Sequence, residues 1–159
     1  MHVVVWTAGD VRYAIETACI VEVVPVVDVR AIPHCPPWVC GLMNYRGALT
    51  PLVDVRRLID DHATEPRRAT RIIVTELGGE LGAELVGDRL ALLVESLESV
   101  EHCDFADADA HPGLTLPDAR YLGPVAPTTN GTLQLVDVHR LLDDEHRALL
   151  FDRTPAEGP

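Results

Sequence analysis

Apolar residues fall along this chain in short runs, at 3–6, 11–15, 20–27, 49–55, 70–77, 89–94, 97–102, 121–126 and 132–138. The runs are rich in Val, Ile and Leu, and Gly-Asp, Pro-Pro, Asn-Gly and Gly-Gly pairs punctuate the chain between them. Short β-branched runs bounded by turn residues predict strands. So many short strands limit their exposed edges most economically as barrels or a sandwich. The expected fold class is mainly β.

The pattern also repeats. Leu52-Val53-Asp54-Val55-Arg56-Arg57-Leu58-Ile59-Asp60-Asp61 returns as Leu135-Val136-Asp137-Val138-His139-Arg140-Leu141-Leu142-Asp143-Asp144, each copy after a turn glycine, Gly47 or Gly131. Gly9-Asp10 before Val11 parallels Gly87-Asp88 before Arg89. In each copy the Asp ends a strand and is placed to cap a following short helix by accepting backbone N–H bonds. Val138, Leu141, Leu142, Leu149 and Leu150 are the positions of the second copy expected to face a core. The expectation is one domain over 1–159, with subdomains at about 10–65 and 68–138. An N-terminal strand and a C-terminal helix complete the pair, the polar stretch His62 to Arg68 serves as connector, and 153–159 forms a loose tail.

A chain of 159 residues supports a core without staples. The net charge of −12 argues against nucleic acid and anionic lipid as partners. Met1 to Trp6 lacks the basic start of a signal peptide, and no apolar run reaches the ~20 residues of a membrane span. A soluble, cytoplasmic protein is expected.

Cys19, Cys35, Cys40 and Cys103 are read as free thiols. His34, Cys35 and Cys40 suggest a metal- or thiol-dependent regulatory site, although no second Cys pair completes a tetrahedral set. Asp104 to Gly113 has the acid content of a calcium loop but not its glycine and terminal Glu offsets. Phosphate-loop, serine-nucleophile and zinc-protease motifs are all missing from the sequence, so no enzyme and no cofactor are expected.

One cation stands out. Arg46 sits on a Gly-flanked turn between apolar segments, where it contributes nothing to a core. Its guanidinium offers five donors in a fork suited to a partner's carboxylate, or to an internal acid such as Asp54. Glu22 interrupts the apolar strand Ile20 to Val24; alternation places it with Ile20 and Val24 on one face, opposite Val21 and Val23. That face reads either as a binding groove or as a solvated surface. Pro37 is expected to start a helical turn ending at Gly41, with Trp38 a lid on the core or a contact. Leu42 and Met43 read as core or as an apolar anchor.

The run from Pro37 to Asp54 resembles the central signature of the CheW-like adaptor domain of bacterial chemotaxis-type signalling, through Gly41, Asn44, Tyr45, Arg46, Gly47, Pro51, Asp54 and Val55. Tyr45 and Val55 replace leucines of that pattern. Further pieces follow in the family's order over roughly residues 3–151: Tyr13-Ala14-Ile15, Ile20 to Val23, Pro36-Pro37-Trp38, Leu90 to Glu95, Tyr121-Leu122-Gly123 and Leu133 to Val138. The resemblance implies two small five-stranded SH3-like β-barrels packed side by side, without an active site. It implies an adaptor that couples the regulatory domain of a CheA-type histidine kinase to the cytoplasmic tips of chemoreceptors, with other CheW-like domains as further partners in rings. It also implies receptor docking through Arg46, Glu22 and Val23, with the groove at Met43, Asn44, Tyr45 and Gly47. The departures at Met43 and Tyr45, and the long stretch from Gly78 to Gly87, leave two pathways open, flagellar chemotaxis and a surface-sensing or pilus-type variant.

Overall fold

The structure, a computed structural model, describes residues 1–77, 88–107 and 109–151. Its strands are β1 (His2–Ala8), β2 (Val11–Glu16), β3 (Ile20–Val24), β4 (Val39–Tyr45), β5 (Ala48–Asp54), β6 (Arg71–Leu77), β7 (Asp88–Val94), β8 (Ser96–His102), β9 (Leu122–Thr128) and β10 (Gly131–Val136). Two short helices, α1 (Val55–Asp60) and α2 (Asp144–Phe151), and two 3-10 turns complete the described elements. The strands form two five-stranded sheets, in the orders β8-β1-β2-β10-β9 and β3-β6-β7-β5-β4. The mainly β expectation holds.

Nine of the expected runs are strands, and β4 is a tenth that the pattern concealed. The helical turn expected from Pro37 to Gly41 is instead a tight turn at 37–38 that runs straight into β4. Alternation fails there because the β4–β5 register shifts between Val39 and Gly41. A bulge of this kind puts two residues opposite one and breaks the period of two.

The two halves of the chain do not make one sheet each. β1 and β2 of the first half join β8, β9 and β10 of the second, while β3, β4 and β5 join β6 and β7. The internal echo is nevertheless structural. β10 pairs parallel with β2 through Gln134–Tyr13 and Leu135–Ala14, and β5 pairs parallel with β7 through Leu52–Ala91 to Asp54–Leu93. Each half therefore lends a hairpin to one sheet and three strands to the other, which locks the halves together.

This arrangement explains why so many strands are apolar on both faces. Along β1, Val4, Trp6 and Ala8 enter a core shared by the two sheets, while Val3 and Val5 enter a second core beneath the first sheet. Along β6, Ile73 and Leu77 enter the shared core, while Ile72 and Val74 join Met43, Tyr45, Leu52 and Ala91 in a third. Each fully buried aliphatic of this kind contributes about 1.5–3 kcal/mol.

Neither sheet closes into a barrel by backbone pairing among the described residues. Connecting chain and side chains cover the gaps instead. Arg30 exchanges two 2.9 Å backbone bonds with Leu42 on the edge strand β4, and His111 exchanges two of 2.8 Å with Val125 on β9. Arg12 reaches Glu98 and Glu101 of β8 and Thr128 of β9, so one guanidinium spans both edges of the first sheet.

The two Asp residues cap as expected: Asp54 Oδ1 accepts from the Arg57 amide at 3.2 Å and Asp137 Oδ1 from His139 at 3.0 Å. After Asp137 the chain makes only a 3-10 turn, Val138–Arg140, before α2. Val138, Leu141 and Leu142 are buried and Leu150 packs against the shared core, but Leu149 faces solvent, contrary to expectation. The tail at 153–159 and the stretch from Gly78 to Gly87 lie outside the described residues.

Candidate functional site

β4 and β5 are joined by Arg46 and Gly47 alone, with Tyr45 directly opposite Ala48. Both turn residues have positive φ, +50° at Arg46 and +84° at Gly47. That primed geometry matches the twist of a two-residue hairpin, and glycine at the second position meets it without strain. Asn44 fixes the turn from below, its Oδ1 accepting from the Gly47 amide at 2.9 Å. The turn therefore holds Arg46 at the tip of a hairpin, where its side chain is 70% exposed.

Arg46 does not reach Asp54, which is occupied by Arg57 and Thr64. Its partner is Glu22: Arg46 Nη2 donates to Glu22 Oε2 at 3.0 Å, and the Tyr45 hydroxyl donates to the same oxygen. β3 and β4 are opposite edges of their sheet, so these contacts draw the two edges together. The Tyr45 ring also carries two guanidinium groups, Arg46 at 5.4 Å and Arg89 at 5.5 Å from its centroid. The Tyr45 hydrogen bond holds the Glu22 carboxyl below its ordinary value, against an opposing effect of burial, and Arg46 adds to the lowering. The same bond pushes the Tyr45 phenol up. Glu22 is thus a fixed negative charge beneath a fixed positive one.

The predicted site residues separate into layers. Arg46, Glu22, Asn44 and Gly47 meet at the hairpin tip. Met43 and Tyr45 are buried in the third core, so they support the tip from beneath and do not offer it an apolar surface. On β3 the more exposed face carries Val21 and Val23, not Ile20, Glu22 and Val24; Ile20 and Val24 pack against cores. Sequence reasoning passed over Leu49, which follows the turn and is 69% exposed. Its signal was available, since alternation in β5 puts Leu49 and Thr50 on opposite faces.

Trp38 is half-buried against the shared core, with its ring edge-on to His146 at 4.9 Å. The four cysteines are free, Cys103 buried and the others half-buried. Among the described residues no three His, Cys, Asp or Glu side chains gather as a metal site, so nothing supports the reading built on His34, Cys35 and Cys40. Burial, reinforced by the charge of Asp54, pushes the Cys40 thiol up to about 11. Cys40 should therefore alkylate about 100-fold more slowly than a free thiol at pH 8. Peptide mass spectrometry after timed iodoacetamide treatment would show this, and labelling at the free-thiol rate would contradict it. Among the described residues no helix is long and apolar enough to cross a membrane.

A family model, the CheW-like domain, matches residues 2–146. The chemotaxis protein CheW of Treponema pallidum is 26% identical over 146 residues, covering 91% of this chain and 83% of the relative. CheW of Klebsiella aerogenes is 26% identical over 149 residues, covering 92% of this chain and 84% of the relative. The crystal structure of the scaffolding protein TtCheW from Thermoanaerobacter tengcongensis superimposes with a TM-score of 0.73 at 21% identity, over 89% of this chain and 87% of that one, and shows the same fold. With the family match spanning both interleaved sheets and the Arg46 hairpin, the chain belongs to the CheW-like domain family, a family of chemotaxis scaffolds and not of enzymes.

Proposed function

We propose that this chain is a cytoplasmic adaptor coupling the tips of chemoreceptors to the regulatory domain of a CheA-type histidine kinase. The observation that carries the proposal is the Arg46 hairpin. A cation held at a rigid tip has its ordering cost met before a partner arrives. Its contact to Glu22 uses one Nη2 donor, and the fork suits a second carboxylate on the partner. Leu49, two residues after Gly47, and Val23, on the outer face of the edge strand β3, are exposed apolar residues on the strands that carry this charge pair. Asn44 and Gly47 set the turn, and Met43 and Tyr45 hold it from the core.

Such an adaptor passes on conformational bias and not phosphate. A contact of about 1 μM is worth roughly 8 kcal/mol, and an array multiplies it by multivalency. Other CheW-like domains are further partners in this reading, recruitment to receptor arrays follows from it, and no cofactor is involved.

The test is binding of the purified protein to the same organism's kinase regulatory domain and to receptor-tip fragments. Arg46→Glu is expected to weaken the receptor tip about tenfold or more while leaving the kinase domain unaffected. Because Glu at this position would stand beside Glu22, melting curves matching wild type are the check that the variant folds. Wild-type protein that binds neither partner at tens of micromolar would remove the adaptor reading. Equal loss of both would show that the hairpin is not a receptor-specific contact.

A further inference from the structure

His2 and His102 are direct register partners in the antiparallel pair of β1 and β8. The Cys103 amide donates to the Met1 carbonyl at 2.9 Å, one residue outside the pair on each strand. That bond makes His2–His102 a non-hydrogen-bonded position, where facing side chains of an antiparallel pair lie closest. Both rings are exposed, with centroids 5.0 Å apart and their planes at 78°. The Met1 amine nitrogen lies 3.2 Å from His102 Nε2. Ion pairs of histidine among the described residues involve His62 and His146, not these two rings.

We propose that His2 and His102 form a bis-imidazole site for a divalent late transition-metal ion, which would tie β1 to the edge strand β8. Imidazole nitrogen suits nickel, copper and zinc and is a poor ligand for magnesium or calcium. Nitrogens bound to one ion at about 2.0–2.1 Å stand roughly 3 Å apart, a spacing that side-chain rotation brings within reach of two rings whose centroids are 5.0 Å apart. The backbone beneath the rings is held by the Cys103–Met1 bond and by the Thr17 hydroxyl, which donates to the His2 carbonyl at 3.3 Å. The site lies on the first sheet, whereas Arg46 and Glu22 belong to the second, so it is independent of the adaptor reading.

The experiment is calorimetric titration of tag-free protein with Ni²⁺, which does not oxidise the thiols, together with melting curves. Wild type is expected to bind one ion with a micromolar Kd and to melt at a higher temperature with the ion present. His2→Ala and His102→Ala should each weaken binding about tenfold or more, since one imidazole alone holds such ions poorly. Both side chains are exposed, and metal-free melting curves matching wild type would verify that the variants fold. The proposal is overturned if wild type binds nothing at about 100 μM Ni²⁺. It is equally overturned if the double variant binds as wild type does, because the donors would then be the cysteines.

Discussion

Glu95→Ala is expected to lower the melting temperature by about 10 °C, corresponding to about 3 kcal/mol. Glu95 stands between β7 and β8, where the chain passes from one sheet to the other, and is only 4% exposed. Its Oε1 accepts from the Gly9 amide at 3.1 Å, in the β1–β2 turn. Its Oε2 accepts from Arg56 Nη1 at 2.6 Å, in α1, and from the Glu65 amide at 2.9 Å, in the connector. One carboxylate thus joins both sheets, a helix and the connector. Truncation leaves a guanidinium and two backbone N–H groups without their acceptor, which costs more than the pair itself contributes. Thermal melting followed by circular dichroism measures the loss; a drop under 2 °C would show that water replaces the carboxylate without penalty.

The same group sets an acid limit. Burial opposes its ionisation, but Arg56 and the Glu65 and Gly9 amides outweigh burial and hold the carboxyl below its ordinary value of 4.5. A folded-state value below the unfolded one means that the contribution is fully present above pH 4.5 and disappears as pH falls through the lower, folded value. Stability should therefore be flat in this term near neutrality and decline in acid. Glu95→Gln should show a shallower decline over the same acid window.

Gly41→Ala is expected to cost about 3 kcal/mol, as the sum of backbone strain and two threatened hydrogen bonds. Gly41 has φ +142°, and a Cβ there would meet the Arg30 carbonyl oxygen at 2.1 Å and its carbon at 2.7 Å. Nothing in that contact is a flexible side chain that could swing aside. The residue would push the 30–31 backbone off β4 and break its paired bonds to Leu42. Gly47→Ala is the control, because its Cβ meets nothing within 4 Å and only the φ of +84° counts against it. About 1 kcal/mol is expected there. Urea unfolding of the two variants separates crowding from conformational cost, and equal losses would contradict the clash.

Much of this protein is legible in its residue pattern. Runs of Val, Ile and Leu between turn residues mark nine strands, because a pleated chain exposes alternate faces and turns need glycine, proline or Asn. Asp54 and Asp137 announce their caps, since a short acid at a strand end satisfies amides that the next turn leaves open. Arg46 on its Gly-flanked turn is legible too, as a charge that no core would take. The family signature was carried by local chain, and local chain is what sequence encodes directly.

Tertiary structure decided what depends on distant partners. The exchange of hairpins between halves of the chain is invisible in a repeat, because either pairing buries the same apolar faces; only register contacts such as Leu52–Ala91 and Leu135–Ala14 distinguish them. β4 was hidden because its bulge breaks the alternation by which strands are read. The second sheet curls its edges together over Met43 and Tyr45, which decides for the core where the sequence left Met43 open between core and apolar anchor. The choice of Glu22 over Asp54 as the acid facing Arg46, twenty-four residues away in the chain, followed from that same curl. Ion pairs form between whichever charges the packed strands bring within reach, and that reach is a property of the fold, not of the sequence neighbours.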